Sequence, residues 1–241
     1  MKKILFLVPF LALVACTPKG FDDRPLEEMY ASAMDALLDG NYYTSSEVFE
    51  DVERQYPYSE WAKKAQIMAA YSYHKIRKYD QSIAILESFL KLHPVHELSS
   101  YANYLVGMNY YSRVSDPKRD GKFAEDALSA FEQMIKKYPN SIYVNNAKER
   151  ILILKEVLAS KEIEVGRSYQ KEDSYLSALG RYQNIIQKHH GSETLPEAYY
   201  RLAEILLDFG DVQRAQEALD LLGKLYPKNI WTTYGNKLMK K

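Results

Sequence analysis

The histidines and carboxylates of this 241-residue chain are its first candidates for catalysis or metal binding. His189 and His190 are adjacent, so on a helix their side chains diverge and cannot share a metal ion. His93 and His96 flank a Pro-Val pair without a third ligand nearby. The chain lacks a Gly-rich phosphate loop, an HExxH or CxxC motif and a Ser nucleophile elbow. We therefore predict no metal site and no catalytic site, and expect that the protein is not an enzyme.

Cys16, the only cysteine, suggests a different chemistry. Residues 1–15 start with a charged Met-Lys-Lys and continue as an apolar run about half as long as the roughly 20 residues that span a bilayer. The Leu-Val-Ala that precedes Cys16 resembles a bacterial lipobox, in which the Cys thiol accepts diacylglycerol. A small buried thiol is the alternative. We predict a cleaved lipoprotein signal peptide at 1–15, with a diacylglycerol and an N-acyl chain on Cys16 and no other cofactor.

The residues after Cys16 predict where the protein resides. Residues 16–25 contain Gly, Pro and charges without an apolar period, which is typical of a short tether. An Asp after the lipidated Cys would indicate retention in the inner membrane, and Thr17 stands there instead. We expect a lipid-anchored protein on the periplasmic face of the cell outer membrane. The 32 basic residues balance the 32 acidic ones, so nucleic acid is not an expected partner.

Residues 63–94 form two short amphipathic segments with a turn between them, and they resemble a tetratricopeptide (TPR) repeat of about 34 residues. Such a unit cannot bury its apolar face alone, so further copies are expected. Five copies align on a small residue in the first helix, a small residue in the second, a large residue four positions later and a final Pro, for which unit four has His190. In this order the positions are Ala33, Ala70, Gly107, Gly166 and Ala203; Ser45, Ser82, Ala127, Ala178 and Ala215; Phe49, Leu86, Phe131, Tyr182 and Leu219; and Pro57, Pro94, Pro139, His190 and Pro227.

The predicted fold is an all-α solenoid of about five helix-turn-helix units. Repeats one to three occupy residues 26–140, with a protruding polar loop at 113–122. Residues 141–241 contain repeats four and five, preceded by one long helix from about Val144 that connects the two halves. The tail after Pro227 has no strong period, and Trp231 is expected to cap the last apolar face.

The first helices of a stacked array line an inner groove that usually holds a peptide. The alignment places aromatic and basic residues there in units one to three, and charged residues in units four and five. Tyr is a favoured contact residue at interfaces, although about half of the 21 Tyr fill spaces between repeats. Lys64, His74 and Lys75 could receive a peptide carboxylate. The candidate groove residues are Tyr30, Tyr56, Lys64, Tyr71, His74, Lys75, Tyr101, Tyr104 and Tyr111.

Three segments resemble the BamD family, the lipoproteins of the outer-membrane β-barrel assembly machinery. They are DGNYYTSSEVFEDVERQYPYSEWAKKAQ, AAYSYHKIRKYDQSIAILESFLKLHP and YPNSIYVNNAKERILILKEVLA. The resemblance covers essentially the whole chain after Cys16 and implies a non-enzymatic scaffold. Its N-terminal repeats would bind the C-terminal segment of unfolded barrel proteins, with Tyr56 of RQYPYS near the groove. Its C-terminal repeats would dock on the periplasmic domain of the barrel subunit through Arg181, within SALGRYQNII, with Arg167 and Lys171 nearby.

Other assembly lipoproteins are further expected partners. The sequence departs from the family pattern at His189-His190, where Tyr-Pro is usual, so the end of unit four is less certain. Two alternatives remain open. One is a different repeat lipoprotein that organises cell-envelope or division proteins, and the other is a lipid-anchored enzyme with an unrecognised site.

Overall fold

The computed structural model describes residues 24–114 and 121–239, which form eleven helices and no strand. The helices are α1 (Leu26–Leu38), α2 (Tyr42–Gln55), α3 (Glu60–Lys75), α4 (Tyr79–Leu92), α5 (Ser99–Tyr111), α6 (Lys122–Lys137), α7 (Val144–Lys171), α8 (Tyr175–Lys188), α9 (Leu195–Asp208), α10 (Val212–Leu225) and α11 (Ile230–Leu238). Each helix packs against the next, so the core is a series of apolar clusters between consecutive helices. The predicted all-α array of helix pairs is confirmed.

A left-handed residue makes the turn inside four of the units. Gly40 and Gly210 have φ of 77°, and Arg77 and Asp173 have φ of 61° and 57°. This conformation reverses the chain within a few residues, so that the second helix of the unit packs back on the first. Glycine adopts it without steric cost, whereas Arg77 and Asp173 adopt it under mild strain.

The aligned small residues lie where two helices approach most closely. All ten are buried, and so are four of the five large residues that follow them. A Cβ on Gly107 would lie 2.5 Å from the ring of Phe131, and a Cβ on Gly166 would lie 2.5 Å from the ring of Tyr182. The aromatic ring of the second helix therefore occupies the volume that a side chain on the first helix would need. The fifth large residue, Leu219, is half-buried because only the short α11 covers it.

The second helix of each unit ends in the same backbone geometry. The capping residues Tyr56, His93, Tyr138 and Tyr226 have φ between −132° and −128° and ψ between 53° and 63°, each before a Pro. In unit four, His189 keeps nearly this geometry, with φ of −112° and ψ of 47°, although no Pro follows. The end of unit four, which the sequence left uncertain, therefore matches the ends of the other units. The shared geometry does not require the Pro, because in every unit the chain must turn here toward the first helix of the next unit.

Helix α7 is one uninterrupted helix of 28 residues that begins at Val144, as predicted. Its N-terminal half packs against α6 through residues such as Ile151 and Leu154, and its C-terminal half pairs with α8 to form unit four. A continuous helix therefore joins the part of α7 that packs on unit three to the part that belongs to unit four.

The expectation for the tail was incomplete, because residues after Pro227 form helix α11. The segment Tyr-Pro-Lys-Asn-Ile-Trp at 226–231 repeats the pattern Tyr-Pro-Tyr-Ser-Glu-Trp at 56–61, where α3 begins. Ser59 caps α3 and Asn229 caps α11 with the same extended backbone and a side-chain hydrogen bond to a first-turn N–H. Helix α11 is thus the first helix of an incomplete sixth unit. Trp231 contacts Tyr200 at 5.2 Å and covers the last apolar cluster, as predicted.

Several predictions fall outside the described residues: the signal peptide, the lipidation of Cys16, most of the tether and residues 115–120 of the predicted loop. Of that loop's ends, Arg113 pairs with Asp80 at 2.6 Å, and Lys122 already belongs to α6. Within the described ranges, no helix is long and apolar enough to cross a bilayer, and no three His, Cys, Asp or Glu side chains gather where a metal ion could bind.

Candidate functional site

Four tyrosines form a continuous aromatic surface across α3, α5 and the start of α7. The ring of Tyr143 lies 5.3 Å from Tyr101 and is stacked on Tyr104 at 4.9 Å with an interplanar angle of 18°. Tyr71 packs into the same apolar cluster as Tyr101. Burial raises the pKa of Tyr101 and of Tyr104 above the usual tyrosine range, so both hydroxyls remain protonated at neutral pH. We call these four residues the tyrosine surface.

The tyrosine surface ends in a polar corner between α5 and α7. The Tyr104 hydroxyl donates to Asn146 Oδ1 at 2.6 Å, and Arg150 Nη1 donates to the Tyr111 hydroxyl at 3.2 Å. The Arg150 guanidinium lies 4.8 Å from the centre of the Tyr111 ring. No carboxylate in the described part of the chain pairs with Arg150, and its Nε is buried without a hydrogen-bond partner. This half-buried cation therefore retains unused capacity to bind an anion.

The three residues predicted to bind a peptide carboxylate, Lys64, His74 and Lys75, have different surroundings. Lys64 is exposed, with its Nζ 5.9 Å from the centre of the Trp61 ring. Lys75 is also exposed, between the rings of Tyr42 and Tyr71 at 5.4 and 6.0 Å. Neither lysine pairs with a carboxylate of the described residues, so both remain available.

His74 has a structural role instead. Its Nδ1 is 2.9 Å from the Oδ1 of Asn109, which is fully buried in α5. The Asn109 amide also donates to Ser82 Oγ at 2.8 Å, and Ser82 in turn donates to the carbonyl of Ala70 at 2.8 Å. This ladder satisfies the buried polar groups between units two and three. His74 thus helps to join two repeats, and only its other ring nitrogen could reach a ligand.

Two predicted groove residues lie apart from the tyrosine surface. Tyr30 is held between Phe49 at 5.3 Å and Trp61 at 4.6 Å, and burial raises its pKa. Tyr56 caps the end of α2, and its hydroxyl donates to the carbonyl of Arg24 at 3.5 Å. Since Tyr56 ends a second helix, it lies at an edge of the array and not among the first-helix residues. A role of Tyr56 beside the groove remains a prediction.

The inner surface of units four and five is occupied by its own ion pairs. Arg167 donates to both carboxylate oxygens of Glu197, and its Nε–Oε1 distance is 2.8 Å. Glu197 is only 6% exposed and also accepts from Arg201, which pairs further with Glu204 at 3.0 Å. Hydrogen bonds to Glu197 raise the pKa of the Arg167 guanidinium above its already high value. Arg167 is therefore engaged within the protein, and we call this set the Glu197 network.

The three predicted docking residues do not share one surface. Arg181 projects from α8 toward Glu162, with an Nη1–Oε2 distance of 3.2 Å, and lies 5.9 Å from the centre of the Tyr169 ring. A cavity of about 430 Å³ borders Arg181 and Tyr169. Arg167 faces α9 instead, and Lys171 is exposed at the end of α7. Helix periodicity puts Glu162 and Arg167 on opposite sides of the line where α7 meets α8.

Sequence analysis missed Tyr143, Asn146 and Arg150, which complete the site. The repeat alignment assigned no groove positions to the start of α7, because this helix has its small residue, Gly166, only in its second half. One signal was present. The segment Tyr-Pro-Asn-Ser-Ile-Tyr at 138–143 resembles Tyr-Pro-Tyr-Ser-Glu-Trp at 56–61, which indicates that another first helix begins there.

Stacked helix pairs with an inner surface of aromatic and basic side chains define a repeat scaffold of the TPR type. A solved structure of a thermophilic TPR protein from Thermus thermophilus covers 90% of this chain and 100% of its own, at 15% identity and a TM-score of 0.39. A TM-score this low does not support the fold assignment, which rests on the helix pairs themselves.

The family model for outer membrane lipoproteins (YfiO) matches residues 22–221, and the chain belongs to this family. Two relatives named outer membrane protein assembly factor BamD extend the match. The one from Caulobacter vibrioides is 32% identical over 91% of this chain and 72% of its own length. The one from Neisseria meningitidis serogroup A is 31% identical over 97% of this chain and 95% of its own. The predicted BamD family is confirmed, and a family of assembly factors also bears out the prediction that the chain is not an enzyme.

Proposed function

We propose that this chain is a lipid-anchored scaffold that takes part in outer-membrane protein assembly. Cys16 carries the anchor, and the repeats lie on the periplasmic side of the outer membrane. The tyrosine surface and Arg150 bind the C-terminal segment of unfolded barrel proteins, and units four and five dock on the barrel subunit of the assembly machinery. Family membership and the names of the relatives support the assembly role.

The observation that carries the peptide-binding proposal is Arg150, a cation without a carboxylate partner in the described structure, beside Tyr104 and Tyr111. An extended peptide with an aromatic last residue would place its ring on the tyrosine surface and its terminal carboxylate on Arg150. Ring stacking and a charge-assisted hydrogen bond are both stronger where water is partly excluded. Lys75, over Tyr71, could attract the same carboxylate during the approach of the peptide.

A peptide-binding measurement tests this proposal. A fluorescent peptide with a C-terminal Phe would be titrated with the mature chain, and binding followed by anisotropy. Arg150→Gln should weaken binding about tenfold to a hundredfold, since a charged hydrogen bond contributes about 1.5–3 kcal/mol. Amidation of the peptide terminus should have the same effect and add little to the Arg150→Gln variant.

Arg214→Gln is the matched control, because Arg214 is an exposed arginine of α10 that pairs only within its own helix turn. Equal affinity of wild type and Arg150→Gln for the free-acid peptide would contradict the assignment. Alanine variants of Tyr101 or Tyr104 are less informative, because both rings are partly buried and their loss would also perturb packing. Tyr111→Phe removes only the hydroxyl that Arg150 contacts.

Docking on the barrel subunit is assigned to Arg181 and the exposed Lys171. Arg181 is partly exposed beside a cavity and could exchange Glu162 for a partner carboxylate. Arg181→Glu should release the barrel subunit in a detergent pull-down without reducing helicity, whereas Arg214→Glu should not. Retained co-purification with Arg181→Glu would contradict this docking site. Recovery of division or peptidoglycan proteins in place of the barrel subunit would instead favour the alternative envelope scaffold.

A further inference from the structure

The chain enters the repeat array at a defined edge. Because the helices alternate in direction, the first helix of each unit begins where the second helix ends. The start of the described chain follows this rule, since the carbonyl of Arg24 accepts a hydrogen bond from Tyr56 at the end of α2. The segment that leads back to Cys16 therefore leaves from the edge that carries the turns between units.

The first two turns on this edge expose large apolar side chains. Tyr58 is 99% exposed and Val95 is 95% exposed, each directly after the Pro that follows a second helix. Leu92 and Trp61 flank them with exposures of 63% and 40%. We call these four residues the anchor-side strip.

The strip is continuous with the entry point of the chain. Trp61 contacts Tyr30 of α1 at 4.6 Å, which joins the first turn to the first helix. The second turn lies beside the first, since α4 packs back along α3 and therefore ends beside the residues where α3 begins. The apolar side chains therefore lie around the point where the chain leaves toward Cys16.

The length of the connecting segment limits how far this edge can be from the membrane. Eight residue steps separate Cys16 from Arg24, and a fully extended chain spans about 3.5 Å per residue, so the edge lies within about 28 Å of the anchored residue. The opposite ends of the helices lie about one helix length from Arg24, and no short chain segment connects them to Cys16. If Cys16 is lipidated, this edge is held within about 28 Å of the bilayer surface.

We propose that the anchor-side strip rests in the interfacial region of the membrane in which Cys16 is anchored. This inference depends on the lipid anchor of the proposed function. Tyr and Trp favour the boundary between water and acyl chains, where an apolar ring and a polar tip are both accommodated. Leu92 and Val95 add apolar area that otherwise remains in water. The strip fixes the orientation of the groove relative to the bilayer, which a lipid anchor alone would not do.

Charge contributes little to this contact. Basic and acidic side chains near the strip are balanced in number: Arg24, Arg54, Lys63, Lys64 and Lys91 against Glu27, Glu28, Asp51, Glu60 and Glu97. Binding of the strip should therefore depend little on the fraction of anionic lipid, in contrast to a polybasic surface.

The two tryptophans of the chain allow a direct test, because Trp61 belongs to the strip and Trp231 occupies the equivalent position at the far end of the array. The mature protein, extracted with detergent from the membranes of the cells that express it, would be reconstituted in phosphatidylethanolamine–phosphatidylglycerol vesicles that contain brominated phospholipid. Trp231→Phe leaves only Trp61, and Trp61→Phe leaves only Trp231. We expect bromine to quench Trp61 more strongly than Trp231, to a similar extent at low and high phosphatidylglycerol content.

Tyr58→Ser with Val95→Ser should reduce the quenching of Trp61. The matched control is Leu38→Ser with Leu176→Ser, since these residues are 75% and 76% exposed on the opposite edge. Vesicle flotation distinguishes a failure of the anchor-side strip from a failure of the proposed lipid anchor. A protein that floats with the vesicles while Trp61 remains unquenched would overturn the strip and leave the surface to a protein partner. A protein that fails to float would overturn the lipid anchor itself, and the strip with it.

Discussion

Equivalent first-helix positions carry different side chains on the inner surfaces of the two halves of the array. The residue that follows the small residue of the first helix is Tyr71 in unit two, Arg167 in unit four and Glu204 in unit five. In the N-terminal half, rings stack on one another and Arg150 has no carboxylate partner among the described residues. In the C-terminal half, Arg167, Glu197, Arg201 and Glu204 neutralise one another. The first surface is available to a ligand, whereas the second stabilises the fold.

The packing between helices differs as well, between units one and two and the later units, since unit three already has Ala127 at the small position of its second helix. Ser45 and Ser82 occupy the small position of the second helix in units one and two, where Ser45 pairs with Ser72 at 3.1 Å and Ser82 joins the Asn109 ladder. Units four and five have Ala178 and Ala215 there. A ladder of buried hydrogen bonds between helices permits only one helix-to-helix register, because a shifted register would leave buried donors without acceptors. Alanine requires only that the helices approach closely.

The largest effect is expected from removing the central charge of the Glu197 network. Glu197→Gln keeps the shape but leaves Arg167 and Arg201 without their shared carboxylate. Breaking a buried pair costs about 3–5 kcal/mol, and since both guanidiniums are partly exposed and can rehydrate, we expect a loss of about 2 kcal/mol. Urea unfolding followed by circular dichroism measures it. Arg150→Gln loses a partly exposed hydrogen bond and a cation–π contact with Tyr111, so we expect a smaller loss of about 1 kcal/mol. Equal losses for both variants would remove the distinction between the two surfaces.

The two helix glycines should respond alike, because both halves use the same close approach. Gly107→Ala and Gly166→Ala place a methyl group against Phe131 and Tyr182, and overpacking of this kind costs about 1–3 kcal/mol. Gly180→Ala is the control, since no atom lies within 4 Å of the position that its methyl group would take, and it should stabilise α8 by up to about 1 kcal/mol. Unfolding free energies measure all three variants. Stabilisation by Gly166→Ala would show that Tyr182 moves away easily.

Ser82→Ala tests the polar ladder of the N-terminal half. It removes the hydrogen bonds to Ala70 and Asn109, and we expect a loss of about 1 kcal/mol. Ser129→Ala on the exposed side of α6 serves as the control and should be nearly neutral. A neutral Ser82→Ala would indicate that His74 and the Leu105 carbonyl alone hold the Asn109 side chain.

The smallest effect is a pH dependence that both halves share. Burial lowers the pKa of His93 and of His189, the capping residues that replace Tyr in units two and four. The unfolded chain therefore binds protons more readily, so the unfolding free energy should begin to fall as the pH drops below about 6.5, and the loss due to these two histidines should be complete below their folded pKa. His189→Tyr restores the residue of the other caps and should flatten the curve, whereas the exposed His190→Gln should not. An unchanged slope for His189→Tyr would contradict this origin.

Prediction from sequence succeeded where a steric rule acts locally. Gly107 and Gly166 were placed correctly because only a small residue fits beneath Phe131 and Tyr182 at that offset. It failed where contacts join distant parts of the chain. The Arg150–Tyr111 bond spans 39 residues and the Arg167–Glu197 pair spans 30, and the residue types alone do not show which cations find a carboxylate. The residue types likewise did not show that the buried Asn109 of the next unit holds the Nδ1 of His74.

The sequence by itself determined the helical units, their order and the long helix α7, because small and large apolar residues at fixed offsets can be buried only in that way. It also determined the BamD family. The tertiary structure alone decided which groove cations have no carboxylate partner among the described residues, since that depends on which carboxylates the stacking of units brings within reach. It alone decided that α11 starts a sixth unit, and that Tyr58 and Val95 share an edge with the entry of the chain. Charge pairing and exposure are properties of the packed array, and helix periodicity encodes neither.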